Sequence, residues 1–388
     1  MRSPAQMVVA LFVLSLVVFG WHYFLYVRLI RDTRLPRAAR ALATGALVVL
    51  GLSLPAIMMV VRSLPRETAR PLAFVAYGWM GLAFFLFFAL LAAEIVRPMV
   101  RLVAERMRGP DEGRRLALAR LAGGTAAMLG FGTSTYGLTR ALGSIPIERL
   151  QVPLARLPRA LSGTTIVQIS DVHIGPTMGR AWLEGIVAKV NGLAPDVIAI
   201  TGDLVDGSVD DLRNEVEPLS RLRAKYGVFF VTGNHEYYSG ATSWTAHLTT
   251  LGIRVLANEH VRIGEGDASY DLAGVNDYNA PAKGHDVAKA LEGRDPNREL
   301  VLLAHQPRSI TDAAAHGVGL QLSGHTHGGQ MFPWNLFVRL QQPLVAGLHQ
   351  VQRTWVYVHR GTGFWGPPMR VGAPPEIARL ELVTPSNA

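Results

Sequence analysis

Apolar residues are distributed in two different ways along this chain. Up to about residue 140 they come in four long runs, about Met7–Val27, Ala41–Val61, Leu72–Val96 and Leu116–Leu138. Each run is near or above the ~20 residues an α-helix needs to cross the hydrocarbon core of a bilayer. From Thr164 onward the runs shorten. TTIVQIS, DVIAITG, GVFFVTG, ELVLLAH and VGLQLSG are brief and rich in aliphatic residues, several bounded by turn residues, as buried strands are. Between them lie segments with helical spacing: Arg180–Leu193, with Trp182, Ile186, Val187 and Val190 on one side, then Asp211–Lys225 and Ser243–Leu251. Strand and helix in alternation predict a layered α/β fold. TWVYVH and EIARLELV near the C-terminus predict added strands that pack as a second sheet.

The expected organisation is a transmembrane region of about four helices over residues 1–143, a Pro- and Arg-rich linker or entering strand over 144–163, and an α/β domain over 164–388. The first run lacks a small-residue cleavage site and is followed by more spans, which favours a true span over a signal peptide. The fourth, rich in Gly, Ala and Thr, suits a helix packed against its neighbours. Arg28, Arg31, Arg34, Arg37 and Arg40 crowd the first loop, and Arg97, Arg101, Arg106, Arg108, Arg114 and Arg115 the third. The positive-inside rule puts both loops in the cytoplasm and everything after Gly143 outside. Arg140, Arg149, Arg156 and Arg159 pull the other way, since without the fourth span the α/β domain is cytoplasmic. His22 and Glu94 lie near span ends, where long polar side chains are expected to snorkel.

Composition narrows the chemistry. The net charge is +9, but the arginine clusters sit between apolar runs and no nucleic-acid motif accompanies them, so membrane topology accounts for the charge and no nucleic-acid partner is expected. Cysteine is absent, so any metal must be held by nitrogen and oxygen.

The strand ends carry the candidates. TTIVQIS leads into Asp171-Val-His173, DVIAIT into Gly202-Asp203, and GVFFVT into Gly233-Asn234-His235-Glu236. ELVLLA leads into His305, and VGLQLS into Gly324-His325-Thr326-His327. In open α/β sheets ligands bind at the carboxyl ends of strands, and five such ends delivering Asp, Asn or His are too many for packing alone. An Asp/Asn/His set without Cys suits Mn, Fe or Zn, and two such ions can clamp a phosphoryl group.

The pattern D-x-H, G-D, G-N-H-E, H, G-H-T-H resembles the calcineurin-like metallophosphoesterase superfamily over about residues 164–384. GNHEYY, GHTHGGQ and GPPMRVGAPPEI further resemble its bacterial, membrane-associated YkuE/YaeI-like members. The resemblance implies a four-layer α-β-β-α sandwich and two divalent metal ions. It implies that Asp171, His173 and His327 hold one ion, that Asn234, His305 and His325 hold the other, and that Asp203 bridges them. It also implies attack on phosphorus by a hydroxide held between the ions. His235, not a ligand, would protonate the leaving oxygen, so that His235, Asn234 and Asp203 are the expected catalytic residues.

Other positions stay open. Glu236 either orients His235 or serves as a helix-start or surface acid, and Asp277 is a loop residue or a support for a ligand. Arg370 either meets a substrate phosphate or makes a structural ion pair. His247, His260, His285, His316, His349 and His359 match no motif and are expected as ordinary surface or core histidines. Phe332, Trp334, Leu336 and Phe337 follow the metal loop and either line an entrance for a lipid substrate or pack as a strand or lid.

The expected protein is therefore a membrane-anchored, dinuclear-metal phosphoesterase of the bacterial cytoplasmic membrane, with the bilayer as partner. It would act on a phosphodiester or pyrophosphate, a lipid-linked one such as UDP-diacylglucosamine being within the range the resemblance implies. The alternative is a membrane sensor or scaffold whose phosphoesterase domain only binds phosphate ligands. A transporter is disfavoured, because the spans carry few internal charges.

Overall fold

The computed structural model describes residues 16–61, 64–108, 111–281 and 284–385. It divides into two compact units, Met1–Thr139 with Gly366–Met369, and Arg140–Trp365 with Arg370–Ala388.

In the first unit the described helices run Arg37–Val60, Arg66–Arg108 and Glu112–Leu142, after a helical stretch ending at Tyr26–Arg31. Among the described residues, two helical segments are long and apolar enough to cross a membrane, Arg37–Val60 and Arg66–Val100. The first expected span, Met7–Val27, lies partly outside the described residues. The fourth falls in Glu112–Leu142, whose arginines and many glycines, serines and threonines keep it below the hydropathy of a span. His22 does not snorkel: its ring is buried, its Nε2 accepts from the Trp79 indole at 2.9 Å, and its Nδ1 faces the Val18 carbonyl at 2.7 Å. Glu94 is paired with Arg28 at 2.8 Å and Arg97 at 3.2 Å. A charge on a largely apolar helix is tolerated when an opposite charge accompanies it.

Among the described residues, the second unit is built on twelve strands: β1 (Ile147–Pro153), β2 (Thr165–Ile169), β3 (Val197–Ile200), β4 (Val228–Phe230), β5 (Arg254–Val255), β6 (Glu259–Glu265), β7 (Ala268–Gly274), β8 (Leu300–Leu303), β9 (Leu320–Ser323), β10 (Gly347–Val351), β11 (Thr354–Val358) and β12 (Ile377–Val383). They form two six-stranded mixed sheets, in the orders β1-β12-β2-β3-β4-β5 and β10-β11-β9-β8-β7-β6. β2, β3 and β4 run parallel, as do β7, β8, β9 and β11, so their carboxyl ends gather at common edges.

Burial explains the layering. Ile166, Val197, Ala199 and Phe229 of the first sheet meet Tyr270, Leu272, Val301, Leu303, Leu320 and Leu322 of the second. On the other face of the first sheet, Val167, Ile198 and Phe230 pack on Leu183, Ile186, Val187 and Val190 of the helix Arg180–Asn191. On the outer face of the second, Leu300, Leu302 and Val356 pack on Ile310 and Ala313. A polar residue crosses the central core: Gln168 on β2, fully buried, donates to Thr201 Oγ1 at 2.8 Å and to the Ser323 carbonyl on β9 at 3.0 Å. That pair of bonds ties the two sheets together just below their ligand-bearing ends.

Several elements differ from the pattern-based expectation. The helix expected over Asp211–Lys225 is Val209–Val216 followed by a 3-10 turn, Glu217–Arg221, because Pro218 has no amide to continue the helix. The run EIARLELV does not join the second sheet. It enters the first, parallel to β1 and antiparallel to β2, and thereby makes part of the 144–163 segment a strand. The hairpin β6–β7 and the short edge strands β5 and β10 lack a strong apolar run and were not anticipated.

Candidate metal centre

Each candidate sits within five residues of the end of a strand that stops being apolar. Asp171 and His173 follow β2, Asp203 follows β3, Asn234 and His235 follow β4, His305 follows β8, and His325 and His327 follow β9. Leaving the sheet sharply enough to point back over its edge requires unusual backbone. Of the ten non-glycine residues with positive φ among those described, five are Asp171, His173, Asp203, His325 and His327, at 50–70°. Such conformations cost free energy and persist where surroundings impose them, commonly at functional sites. Glycine makes room at two of the turns. A Cβ on Gly324 would collide with Ser170 Oγ and the Asp171 carboxylate, and one on Gly233 with the Asp203 carboxylate.

The side chains converge in two main groups. Asp171, His173 and His327 bring one ligand atom each to within 4.8 Å of one another, as do Asp203, His305 and His325. His173 Nε2 lies 3.0 Å from His327 Nε2, and His327 Nε2 lies 3.5 Å from Asp171 Oδ1. In the second group His305 Nε2 is 3.1 Å from Asp203 Oδ2 and 3.2 Å from His325 Nδ1. Asn234 stands beside His235, whose amide donates to Asp203 Oδ1 at 2.8 Å.

These residues fit divalent cations. His305 Nδ1 faces the Thr201 carbonyl at 2.7 Å and must carry the hydrogen there, so Nε2, 3.1 Å from the Asp203 carboxylate, is the nitrogen left to take a proton or a cation. Acceptors facing each other at that distance need a proton or a cation between them. The Asn234 Oδ1 atom is buried with no hydrogen-bond partner among the described residues, which is costly unless it ligates. Separations of ~3 Å are also those of neighbouring ligands on one ion with bonds of ~2.1 Å. Burial, together with the nearby His305, pushes His325 down to about 3 and keeps it neutral. Burial, with Arg370 and His173 beside it, holds His327 well below its ordinary range. Neutral imidazole is the form that binds metal.

Asp206 was not among the expected residues, and it joins His173 of the first group to His235. Its carboxylate accepts from His173 Nδ1, with both oxygens at 3.2 Å, and from His235 Nδ1 at 2.5 Å. The signal was its place three residues after Asp203 in Gly-Asp-Leu-Val-Asp. Burial opposes ionisation of Asp206, but His173 and His235 outweigh it and hold the carboxyl well below the usual range. Burial likewise opposes protonation of His235, yet the Asp206 hydrogen bond and the charges of Asp203 and Asp206 push it up to about 9. With Nδ1 committed to Asp206, His235 Nε2 is left facing the cluster, 4.0 Å from Asp203 Oδ2.

Glu236 does not touch His235 as an orienting partner. It is fully buried at the start of the helix Asn234–Ser239 and accepts from the amides of Gly233, Asp203 and Leu204 at 2.7, 3.0 and 2.8 Å. It is thus the helix-start acid of the two expected alternatives, buried rather than at the surface, and it splices two ligand turns. Asp277 is buried in its loop and held by the Gln306 amide at 2.8 Å. Arg370 is buried and donates to the carbonyls of His327 at 2.9 Å and Arg360 at 2.7 Å, with Gly363 O also in contact. Its guanidinium is spent on shaping the loop under His327. Of the unassigned histidines, His247, His260, His285, His316, His349 and His359 all lie outside these groups.

Phe332, Trp334, Leu336 and Phe337 do not form a buried strand. Trp334–Val338 is a short helix without buried residues, and these four side chains are 45–56% exposed.

Residues 164–329 match the family described as calcineurin-like phosphoesterase. An uncharacterized metallophosphoesterase of Helicobacter pylori is 38% identical over 257 residues, 65% of this chain and 68% of that protein.

The chain belongs to the calcineurin-like phosphoesterase family.

This phosphoesterase is also 33% identical to an uncharacterized metallophosphoesterase of Aquifex aeolicus, over 62% of this chain and 93% of that protein. It is 43% identical to the Bos taurus "Transmembrane protein with metallophosphoesterase domain", over 70% of this chain. The match spans 64% of that cattle protein and 60% of its Danio rerio counterpart, less than two thirds of either. Residues 164–329 therefore form a calcineurin-like phosphoesterase domain.

Proposed function

We propose that this phosphoesterase is anchored in a membrane and hydrolyses a phosphodiester or pyrophosphate presented at the bilayer surface. We assign one divalent ion to Asp171, His173 and His327, a second to Asn234, His305 and His325, and a bridging role to Asp203. Mn, Fe or Zn all suit this donor set. Bound there, two such ions supply charge neutralisation at phosphorus and an ionised water at neutral pH. The chain itself does the rest. The backbone turns after β2, β3 and β9 hold the ligands in place before substrate arrives, so little reorganisation is needed. Asp206 fixes His235 Nδ1 and leaves Nε2 to give a proton to the departing oxygen. The observation that carries this reading is the His235–Asp206 contact beside the ligand groups: a pure binding module needs ligands but no oriented acid.

The full-length protein in detergent, loaded with Mn, tests the reading on a phosphodiester, a phosphomonoester and a lipid pyrophosphate. Asp203→Ala is expected to lose metal and turnover together. His235→Ala is expected to keep its metal and lose ~10²–10⁴-fold in turnover. A wild-type protein inactive on all three with Mn, Fe and Zn would instead favour a phosphate-binding sensor.

The two apolar helices and the relatives named as transmembrane proteins support the anchor. We further propose four spans in a bacterial cytoplasmic membrane, a four-layer α-β-β-α catalytic unit, and its placement on the extracytoplasmic side; fusion reporters after Gly143 active only in the cytoplasm would overturn the last point. The exposed Phe332, Trp334, Leu336 and Phe337 support a membrane-facing substrate entrance. Replacing Trp334 and Phe337 by Ala should weaken turnover of a lipid substrate and leave a water-soluble diester unaffected; equal turnover of both would remove the lipid link.

A further inference from the structure

We propose that Tyr238 and Trp365 form a leaving-group subsite that selects esters whose departing alcohol carries a flat, unsaturated ring. The inference deepens the hydrolytic reading above and rests on His235 as the leaving-group acid. In the reaction the oxygen of water forms the new bond to phosphorus. The bond to the departing alcohol breaks with its electron pair on oxygen, which takes its proton from His235; the proton released by water restores the imidazolium. The departing oxygen must therefore lie within hydrogen-bond reach of His235, and whatever surrounds that ring surrounds the leaving group.

Two aromatic rings do. Tyr238 meets the His235 ring at 5.4 Å between centroids and Trp365 at 5.7 Å, both edge-on, at 65° and 78°. They do not pair with each other among the described residues. They are 65% and 57% exposed, whereas Trp244 of the same unit is fully buried. Their faces are thus open to a ligand beside an otherwise polar centre.

Trp365 is also held in place from the metal loop. Gln330 accepts from the Trp365 amide at 2.9 Å and donates to its carbonyl at 2.8 Å. Gln330 ends the run Gly-His-Thr-His-Gly-Gly-Gln, is buried, and adopts φ 53°. One strained loop therefore carries His325 and His327 and sets the position of Trp365, while the Tyr238 hydroxyl accepts from Asn279 Nδ2 at 3.2 Å. A surface ring without a ligand gains nothing from a two-bond clamp on its backbone. Exposed rings with free faces reward a flat partner, which stacks, over a saturated one of equal size, which only touches.

The test compares two diesters of methyl phosphate, one with benzyl and one with cyclohexylmethyl alcohol, matched in size and close in leaving-group acidity. The Mn-loaded, full-length enzyme is expected to favour the benzyl ester by about tenfold in kcat/KM. Trp365→Ala should bring that ratio to about one, Trp365→Phe should keep most of it, and Gln330→Ala should lower it, all with metal content unchanged. An unselective wild type, or a Trp365→Ala variant that slows both esters equally, overturns the subsite. Full turnover by His235→Ala overturns the acid role itself. Loss of turnover in His235→Ala combined with an unselective wild type overturns the subsite alone.

Discussion

The strands of the second unit and the turns that leave them obey opposite rules a few residues apart. Ile166, Ile198, Phe230, Leu303 and Leu322 are apolar, extended and fully buried. Asp171, His173, Asp203, His305 and His327 are polar and almost as buried, and four of these five have left-handed backbone. The first set lowers the free energy of folding with every methylene removed from water. The second raises it, through desolvated polar groups and strained torsions. The site is therefore held in shape by a core that gains nothing from it, and the two should respond differently to substitution.

Four measurements probe that division, from the largest expected effect to the smallest. Gly324→Ala puts a methyl group into Ser170 and Asp171. It should abolish turnover, cut bound metal, and cost about 1–3 kcal/mol of stability; full metal content by elemental analysis would show that the turn is not constrained as described. Leu272→Ala hollows the core between the sheets on a strand that bears no ligand. It should cost about 2–5 kcal/mol in denaturant unfolding while leaving kcat of the folded enzyme within about twofold of wild type. A parallel collapse of kcat would join core and site into one unit. Asp206→Asn keeps the shape but removes the charge between His173 and His235. Turnover should fall ~10–100-fold with little change in Tm; an unchanged rate would remove Asp206 from the proton path.

The smallest effect concerns His359, a strand-end histidine outside both ligand groups. It is fully buried, its Nδ1 accepts from the Gly361 amide at 2.9 Å, and burial holds it below the ordinary 6.5. The unfolded chain takes up that proton as pH falls below 6.5 and the folded chain resists, so folding stability is fully present above 6.5 and declines below it. His359→Gln should flatten the wild-type slope between pH 7 and 5 by up to about 1.4 kcal/mol per unit. An unchanged slope would mean the site residues carry all of the acid sensitivity.

Much of the candidate site was legible because metal ligation, the role proposed for it, constrains residue type. Asp, Asn and His at five strand ends stand out against apolar runs, whatever path the chain takes between them. Asp206 escaped notice because a supporting carboxylate in a turn looks like any surface acid until the fold brings it under His173 and His235. Tyr238 and Trp365 escaped for the same reason: aromatic residues are usually core, and only their position against His235 makes them a subsite. Glu236 and Arg370 were ambiguous, since a charged side chain can meet substrate or backbone with equal chemical ease. Burial and backbone partners decided both.

The linear chain by itself determined the alternation of strand and helix, the apolar N-terminal third and the identity of the ligand candidates. Each depends on local spacing or on residue chemistry, which neighbours cannot alter. The tertiary structure decided which sheet EIARLELV joins and which histidines come together. Those outcomes are set by contacts between residues far apart in sequence. His173 and His327 are separated by 153 intervening residues and come to 3.0 Å only because β2 and β9, in different sheets, end at the same edge of one core.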